Sequence, residues 1–406
     1  MTLAQSIQLE IDGAPSDLRV ARLTGVERIH APFRFELACA PMRDGGAMAE
    51  IVAEDVLAKP AKITWVLGDG AERVIEGYVE AITTTSAAHT VVVAPKLAWL
   101  EDAVDHVVFV DEDAVAIAKK VLSEHGVTAD VRVTRSLPKR KQCVQLFETD
   151  LGFVRRILAE EGVALYLPLD KKDAVVFADH PSGFEDVPGL ASLSVREHGG
   201  VEAAESVTGA RLRRTMVSDK ATLRDYLFEN PKLDLTAEAA TGDGARERYE
   251  FPGGYEDKQV GGELAQIRLE ERTARKLVLT ARTSSRALSP GYVVTLEGAA
   301  VERVNGRWLV VEVAHELADL GTGGAGDKRY EARFTAVPAD EPHRPARTPA
   351  PRVAGVQTAT VTAPGGVEIH TEKYGRSKVH LRWDRRRPMD DTSSAWARVL
   401  HPPTSG

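Results

Sequence analysis

Cysteine is nearly absent from this 406-residue chain: Cys39 and Cys143 are the only two. Two thiols cannot build a disulfide scaffold or a four-thiolate zinc site, and both read as buried thiols of a reducing cytosol. Long apolar runs are missing as well. No stretch of about 18 apolar residues occurs, so no membrane-spanning helix is expected. Met1 to Asp12 alternates like a strand and lacks a basic segment followed by an apolar core, so it is not expected to be a secretory signal. A chain of this kind would leave the cell only through a machine. Positive charge is not in excess either: the formal net charge is −8. A dedicated nucleic-acid binder should be basic over a whole domain, which this balance argues against.

What is present is an ordinary globular composition, 43% hydrophobic and 28% charged, in a chain too long for one core. Short segments rich in β-branched or aromatic residues, separated by Gly, Pro and Asp, predict strands at Ile7 to Ile11, Phe33 to Ala38, Ala61 to Leu67, Arg73 to Ile82 and Thr90 to Ala94. Their spacing suggests a β-barrel and not a parallel sheet. Ala114, Ile117, Ala118, Val121 and Leu122 share a helical face, with Asp113 as N-cap and Gly126 past the end. A second amphipathic packing helix is expected over Leu151 to Glu161, capped by Asp150, with Phe153, Val154, Ile157 and Leu158 as its stripe.

Strands resume at Val163 to Leu167, Ala174 to Ala178, Leu193 to Glu197 and Val201 to Arg214. Gly261 to Arg275 reads as a polar helix with a solvated Glu271–Arg275 pair worth a few tenths of a kcal/mol. Closing strands are expected at Leu277 to Arg282, Tyr292 to Glu297, Arg307 to Glu316 and Arg329 to Val337, with Asn305-Gly306 as a turn. Pro338, Pro342, Pro345, Pro349 and Pro351 then mark a semi-extended linker. Beyond it, Val367 and Ile369 alternate with Glu368 and His370, and Val379, Leu381 and Trp383 with Lys378, His380, Arg382 and Asp384. This predicts a hairpin around Tyr374-Gly375-Arg376, with a third strand at Trp396 to Leu400. Strand parity places Trp383 in the core, where Trp383→Ala would cost about 3–5 kcal/mol.

The wording of that C-terminal stretch carries a resemblance. Tyr374-Gly375-Arg376, Lys378-Val379 and Trp383-Asp384-Arg385, with Asp391, Ser393-Ser394 and Trp396-Ala397-Arg398-Val399, resemble the start of the OB-like barrel of VgrG proteins. These are the trimeric spikes of type VI secretion, similar to the hub and spike of contractile phage tails. Gly25-Val26-Glu27, Pro32-Phe33-Arg34-Phe35, Phe147 to Gly162, Glu250 to Tyr255 and Asn305 to Val310 match the hub in the family's order.

The resemblance implies a mainly β fold with some α: a phage-hub-like tandem of β-barrels with packing helices over residues 1–340, a Pro-rich linker at 341–352, and the first part of an OB-fold-like spike domain at 353–406. It further implies a homotrimer that sits on a hexameric Hcp-like tube, contacts baseplate proteins, and carries a PAAR-like tip protein and effectors through a needle that would follow the OB-like barrel. Assembly would be cytoplasmic, followed by ejection into the extracellular space or a target cell. The chain is expected to be a shortened form. The spike of an extracellular injection system or a prophage tail is the alternative, and an effector-bearing enzyme a third.

Candidate chemistry resolves into bland readings. Gly321-x-Gly323-x-x-Gly326 fits a dinucleotide fingerprint but is flanked by strands on both sides, so it reads as a hairpin loop. Ser136 and Lys139 have the spacing of a Ser/Lys pair, yet Pro138 breaks the helix they need. His315-Glu316 lacks a second His, since Asp319 stands there, and His370 with His380 lacks a third metal ligand. Arg376, Lys378, Arg382, Arg385, Arg386 and Arg387 form a basic rim expected to dock neighbouring protomers and not nucleic acid, because Trp383 is assigned to the core. No catalytic, cofactor-binding or metal-binding residue is assigned, and no cofactor is expected.

Overall fold

The computed structural model describes the chain apart from residues 1–6, 16–17, 19, 40–50, 68–69, 86–87, 197–204, 320–327, 368–369, 394 and 400–406. Its fold is mainly β, organised by one 13-stranded sheet. Alternation builds each strand. In Arg34–Cys39, Phe35, Leu37 and Cys39 point inward while Arg34 and Glu36 face solvent. The first half of the sheet runs, in space, Ile7–Ile11, Pro60–Val66, Glu72–Thr84, His89–Ala94, Arg34–Cys39 and Val20–Arg28, with every neighbouring pair antiparallel. Val20–Arg28, which the alternation does not predict, then pairs with Gly306–Asp319 and joins the two halves.

The second half runs Gly306–Asp319, Lys328–Pro338, Leu277–Thr283, Ser206–Arg214, Leu193–Arg196 and Tyr292–Glu297. Tyr292–Glu297 pairs back onto Gly306–Asp319, so these six strands close into a barrel, and the two-residue strand Glu185–Asp186 pairs with Tyr292–Glu297 as the thirteenth. One apolar cluster fills both halves, with Trp65, Phe35 and Ile63 from the first and Phe334, Leu309 and Val313 from the second. Full burial of each such side chain is worth about 1.5–3 kcal/mol.

Between the halves lies a helical unit with its own core. The helix Ala114–Glu124 is capped as expected, Asp113 accepting from the Ala116 N–H. In Asp150–Glu160 the cap is Thr149, whose hydroxyl accepts from Gly152 N. Asp150 is not the cap. It is the first helical residue, buried and bound to Gln145 at 2.6 Å and His125 at 2.7 Å. Phe153 stacks on Phe109 at 5.6 Å within the core that both helices share. Cys39 and Cys143 are free and buried, and burial raises both thiol pKa values, Cys39 to about 11.

A smaller sheet, Leu235–Ala240, Lys220–Asp225 and Glu247–Glu250, packs on the helix Lys258–Thr273. Alternation does not announce these three strands, because their inward residues are few: Leu223, Leu235 and Ala237. Tyr255 fills the remaining space and donates its hydroxyl to the carbonyls of Leu223 and Leu235. The expected solvated pair on the helix is not formed. Glu271 is buried, and its partner is Arg347 at 2.9 Å.

The C-terminal segment departs most from expectation. The strand Ser377–Leu381 pairs with Ala359–Val361 on one side and Ala395–Ala397 on the other. Val367 is exposed outside any strand, and Glu368 and Ile369 lie outside the described residues. Parity is reversed as well: Lys378 and His380 are the buried residues, whereas Val379 and Leu381 are half-buried. Trp383 lies in a turn, half-buried, with its indole N–H donated to Gln357 Oε1 at 3.0 Å. It is not a core anchor. Asp384 is the buried member of that turn, and it accepts from the backbone N–H groups of Arg386 and Arg387.

Candidate functional site

The family-like words of the C-terminal stretch hold that segment against the rest of the chain and form a joint with it. Three groups of contacts build it. The first is a proline-rich strap. Residues 341–350 have no regular secondary structure, because five prolines between 338 and 351 withhold backbone donors, and the strap is fixed by side chains instead. Arg344 donates to Glu270 at 2.8 Å and to the carbonyls of Gly162 and Asp179. Arg347 forks between Glu250, at 2.7 and 3.0 Å, and Glu271. Burial opposes the Arg347 charge, yet Glu250 and Glu271 raise its pKa above the ordinary value.

The second group is Tyr374-Gly375-Arg376. Gly375 sits at φ +71°, where a side chain would be strained, and lets the turn present its neighbours. Tyr374 meets Phe228 edge-on at 5.1 Å, while Arg376 and Arg398 lie over the Phe228 ring at 5.2 and 4.3 Å. Such cation–π contacts contribute about 0.5–1 kcal/mol where exposed.

Third comes the run Arg385-Arg386-Arg387. Arg385 and Arg386 share the Asp105 carboxylate at 3.1 and 2.7 Å. Arg386 reaches on to Glu124, and Arg387 donates to the Val108 carbonyl at 2.7 Å. Burial alone would raise the Asp105 pKa, but the His106 N–H and the two arginines hold it below its ordinary value. Hydrogen bonds to charged groups contribute about 1.5–3 kcal/mol each. Solvent screens the three-quarters exposed Arg385, so Arg386 and Arg387 dominate this group. The rim expected to dock neighbouring protomers is thus largely spent on this chain's own body. Of its six members, Lys378 is buried under Trp396, and Arg382 remains exposed.

The other candidates are dispersed. Ser136 and Lys139 are both exposed on an irregular segment. His370 stacks near Trp396 and His380 bonds the Arg387 carbonyl, so the two do not converge. No cluster of three metal-ligating side chains occurs among the described residues. Gly321 to Gly326 lies outside them.

His315 belongs to a network that residue-by-residue reading overlooks. Arg73 Nη2 donates to both Glu27 carboxylate oxygens at 2.8 and 2.7 Å, His315 Nε2 meets the same carboxylate at 2.8 Å, and its Nδ1 meets Tyr330 at 2.7 Å. Burial would raise the Glu27 pKa, yet Arg73 and His315 bring it down to about 2. Glu27, Arg73 and His315 all occupy inward positions of otherwise apolar strands, which is the available signal. The network is enclosed under Trp65, whose ring Arg73 faces at 5.3 Å. Its geometry suits pinning four strands together, since Tyr330 adds Lys328–Pro338 to the strands of Glu27, Arg73 and His315.

A profile of the phage tail baseplate hub family matches residues 26–321. The chain belongs to this family. Among curated relatives, the type VI secretion system spike protein VgrG4b of Pseudomonas aeruginosa is 31% identical over 415 aligned positions, covering 96% of this chain and 51% of its own length. The chain therefore spans about half the length of the curated relatives it matches. Among solved structures, an E. coli component of the type VI secretion system, described as similar to the T4 tail proteins gp27 and gp5, superposes with a TM-score of 0.71 at 23% identity, covering 96% of this chain and 92% of that one. The MuSo2 prophage tail protein from Shewanella oneidensis gives 0.57 at 15% identity, covering 83% and 99%. Both likenesses show the hub fold.

Proposed function

We propose that the chain is the hub and spike base of a contractile injection machine of the type VI class, acting by assembly and mechanical load and not by catalysis. In this reading residues 1–340 form the hub, 341–352 the linker, and 353–406 the start of an OB-like spike domain. The observation that carries it is the doubled sheet, two halves of six strands each stitched edge to edge through Val20–Arg28 and Gly306–Asp319. Three such chains would present six β units of six strands each, which is how a three-fold spike can sit on a six-fold tube. The Hcp-like tube, the baseplate and, through a longer spike, a PAAR-like tip protein and effectors are the partners of this assembly. It forms in the cytoplasm and leaves through the machine. No helix among the described residues is long and apolar enough to cross a membrane. The similarity to VgrG4b favours type VI secretion over a phage tail or an extracellular injection system. Light scattering should give three times the chain mass of 44.0 kDa. Co-sedimentation with preassembled hexameric tubes should follow. A monomer that ignores tubes at micromolar concentration would sink the reading.

A further inference from the structure

Beside the joint, a cleft of about 380 Å³ opens between the strap, the end of the helix Lys258–Thr273 and the second half of the sheet. Its volume lies within the range of small-molecule clefts, about 300–1,000 Å³. Val278, Val311 and Val337 form an apolar floor, and the walls are cationic. Arg28 on the rim is already matched by Glu312 at 2.7 Å, and Arg344 by Glu270 and two carbonyls. Half-buried Arg155, from the helix Asp150–Glu160, and exposed Arg275 also line the cleft, and the guanidinium group of neither has a hydrogen-bond or ion-pair partner among the described residues. His343, on the strap, adds a buried Nδ1 with no partner.

Like charges gathered in a cleft repel one another, and the buried His343 Nδ1, a donor in the tautomer that carries its proton there, loses its water for nothing in return. An anion with several oxygens corrects both at once. The planar guanidinium fork matches such a group in shape, and a short-range pair of this kind is stronger inside a cleft than on an open surface. The neighbouring His30 does not compete for the ligand. Its Nε2 bonds the Arg155 carbonyl at 2.9 Å and its Nδ1 accepts from Leu165 N–H at 3.3 Å, so both ring nitrogens are committed. We propose that this cleft binds a small oxyanion of the phosphate or carboxylate class through Arg155, Arg275 and the His343 Nδ1. Because the walls come from the strap, the helix Asp150–Glu160, the end of Lys258–Thr273 and the sheet, a bound anion would fasten the strap to the hub at a point the protein's own carboxylates leave open.

The test uses the whole chain and inorganic phosphate, titrated by calorimetry against chloride at constant ionic strength. Saturable binding with one phosphate per chain is expected, weakened at least tenfold in Arg155→Gln/Arg275→Gln and unchanged in Arg213→Gln, an exposed arginine on the barrel wall. Arg275→Gln alone serves if the double variant does not fold, since Arg275 is exposed just past the helix end. A second readout is the titration of the His343 ring by NMR. Burial first, and then the charges of Arg275 and Arg344, hold this ring neutral to about pH 4, with His30 as its titratable neighbour. Bound phosphate should move its midpoint upward in the native chain and leave it in place in Arg275→Gln. Absence of saturable binding, or the same titration in the variant, overturns the proposal. So does a fall in assembly mass as phosphate rises, because the cleft would then hold a carboxylate of a neighbouring copy.

Discussion

Arg34–Cys39 in the hub and Ser377–Leu381 in the C-terminal segment have the same pattern of alternating polar and apolar residues, and they fold to opposite results. In the first, the apolar residues are inside. In the second, Lys378 and His380 are inside and Val379 and Leu381 are half-open. The difference lies in what covers each face. The hub sheet supplies its own opposing layer, so Phe35 and Leu37 have Trp65 and Phe334 to meet. In the segment, three short strands have no second apolar layer among the described residues, and the polar face is the one that turns toward the arginine run and its anchors. Period-two alternation reports which residues share a face. Which face is buried depends on a partner layer that the strand itself does not encode.

The largest effect that would test this contrast is at the two tryptophans. Trp65→Ala should destabilise the hub by about 3–5 kcal/mol in urea unfolding, because the ring is fully buried. Trp383→Ala should cost about 1 kcal/mol or less. Equal losses would erase the contrast. Next is Glu27→Gln, which leaves Arg73 buried beside a neutral amide and should cost about 3–5 kcal/mol, nearer the lower figure because two backbone carbonyls still hold Arg73.

Acid should act first through the two histidines whose pKa values burial lowers to about 4, His343 on the strap and His30 in the hub. Each starts from 6.5, so the neutral ring's contribution is full above pH 6.5 and declines as pH falls toward 4. The Glu27 carboxylate has a depressed pKa of about 2, so its contribution is full above about 4.5 and is lost only as pH falls through 2. A thermal-stability profile flat from pH 7 to 4 would contradict the assignment of His30 as neutral.

A smaller and more local change is expected for Asp105→Asn. Hub melting should move little, while amide exchange across 377–397 should accelerate, consistent with loss of about 1–2 kcal/mol of charge-assisted bonding at the joint. Protection that stays the same would mean that Arg387 and the strap hold the segment without Asp105. The smallest effect is expected for Arg28→Ala. This removes an exposed pair with Glu312 and should shift stability by less than about 1 kcal/mol.

Much of the hub is legible because its strands carry both signals needed, alternation and bounding Gly, Pro or Asp. Ala174–Ala178 and Tyr292–Glu297 fall where expected to the residue. The small sheet is not legible, since Lys220–Asp225 and Glu247–Glu250 hold more charge than apolar surface and are buried mainly by Tyr255 and one helix. The joint is half legible. Its words, Tyr374-Gly375-Arg376 and Trp383-Asp384-Arg385, stand out, but strand parity assigns them to barrel core and outer rim. Their partners Phe228, Asp105 and Glu124 are remote in sequence, and an arginine does not announce which carboxylate it will find. Arg344 and Arg347 escape notice because a proline-rich stretch looks like a free tether until its side chains are seen to be held.

The stitch between Val20–Arg28 and Gly306–Asp319 also sets a schedule. Arg28 and Glu312, which face each other across it, are 284 residues apart. At about 5–20 residues per second, a ribosome needs about 15–60 s to travel from one to the other. Throughout that interval the strand Val20–Arg28 is complete on the side of Arg34–Cys39 and bare on the other, a row of free backbone donors and acceptors able to pair with any passing strand. Where many copies are made from one message, the nearest such strand belongs to a neighbouring nascent chain. The timing of elongation then bears on how many chains close on themselves.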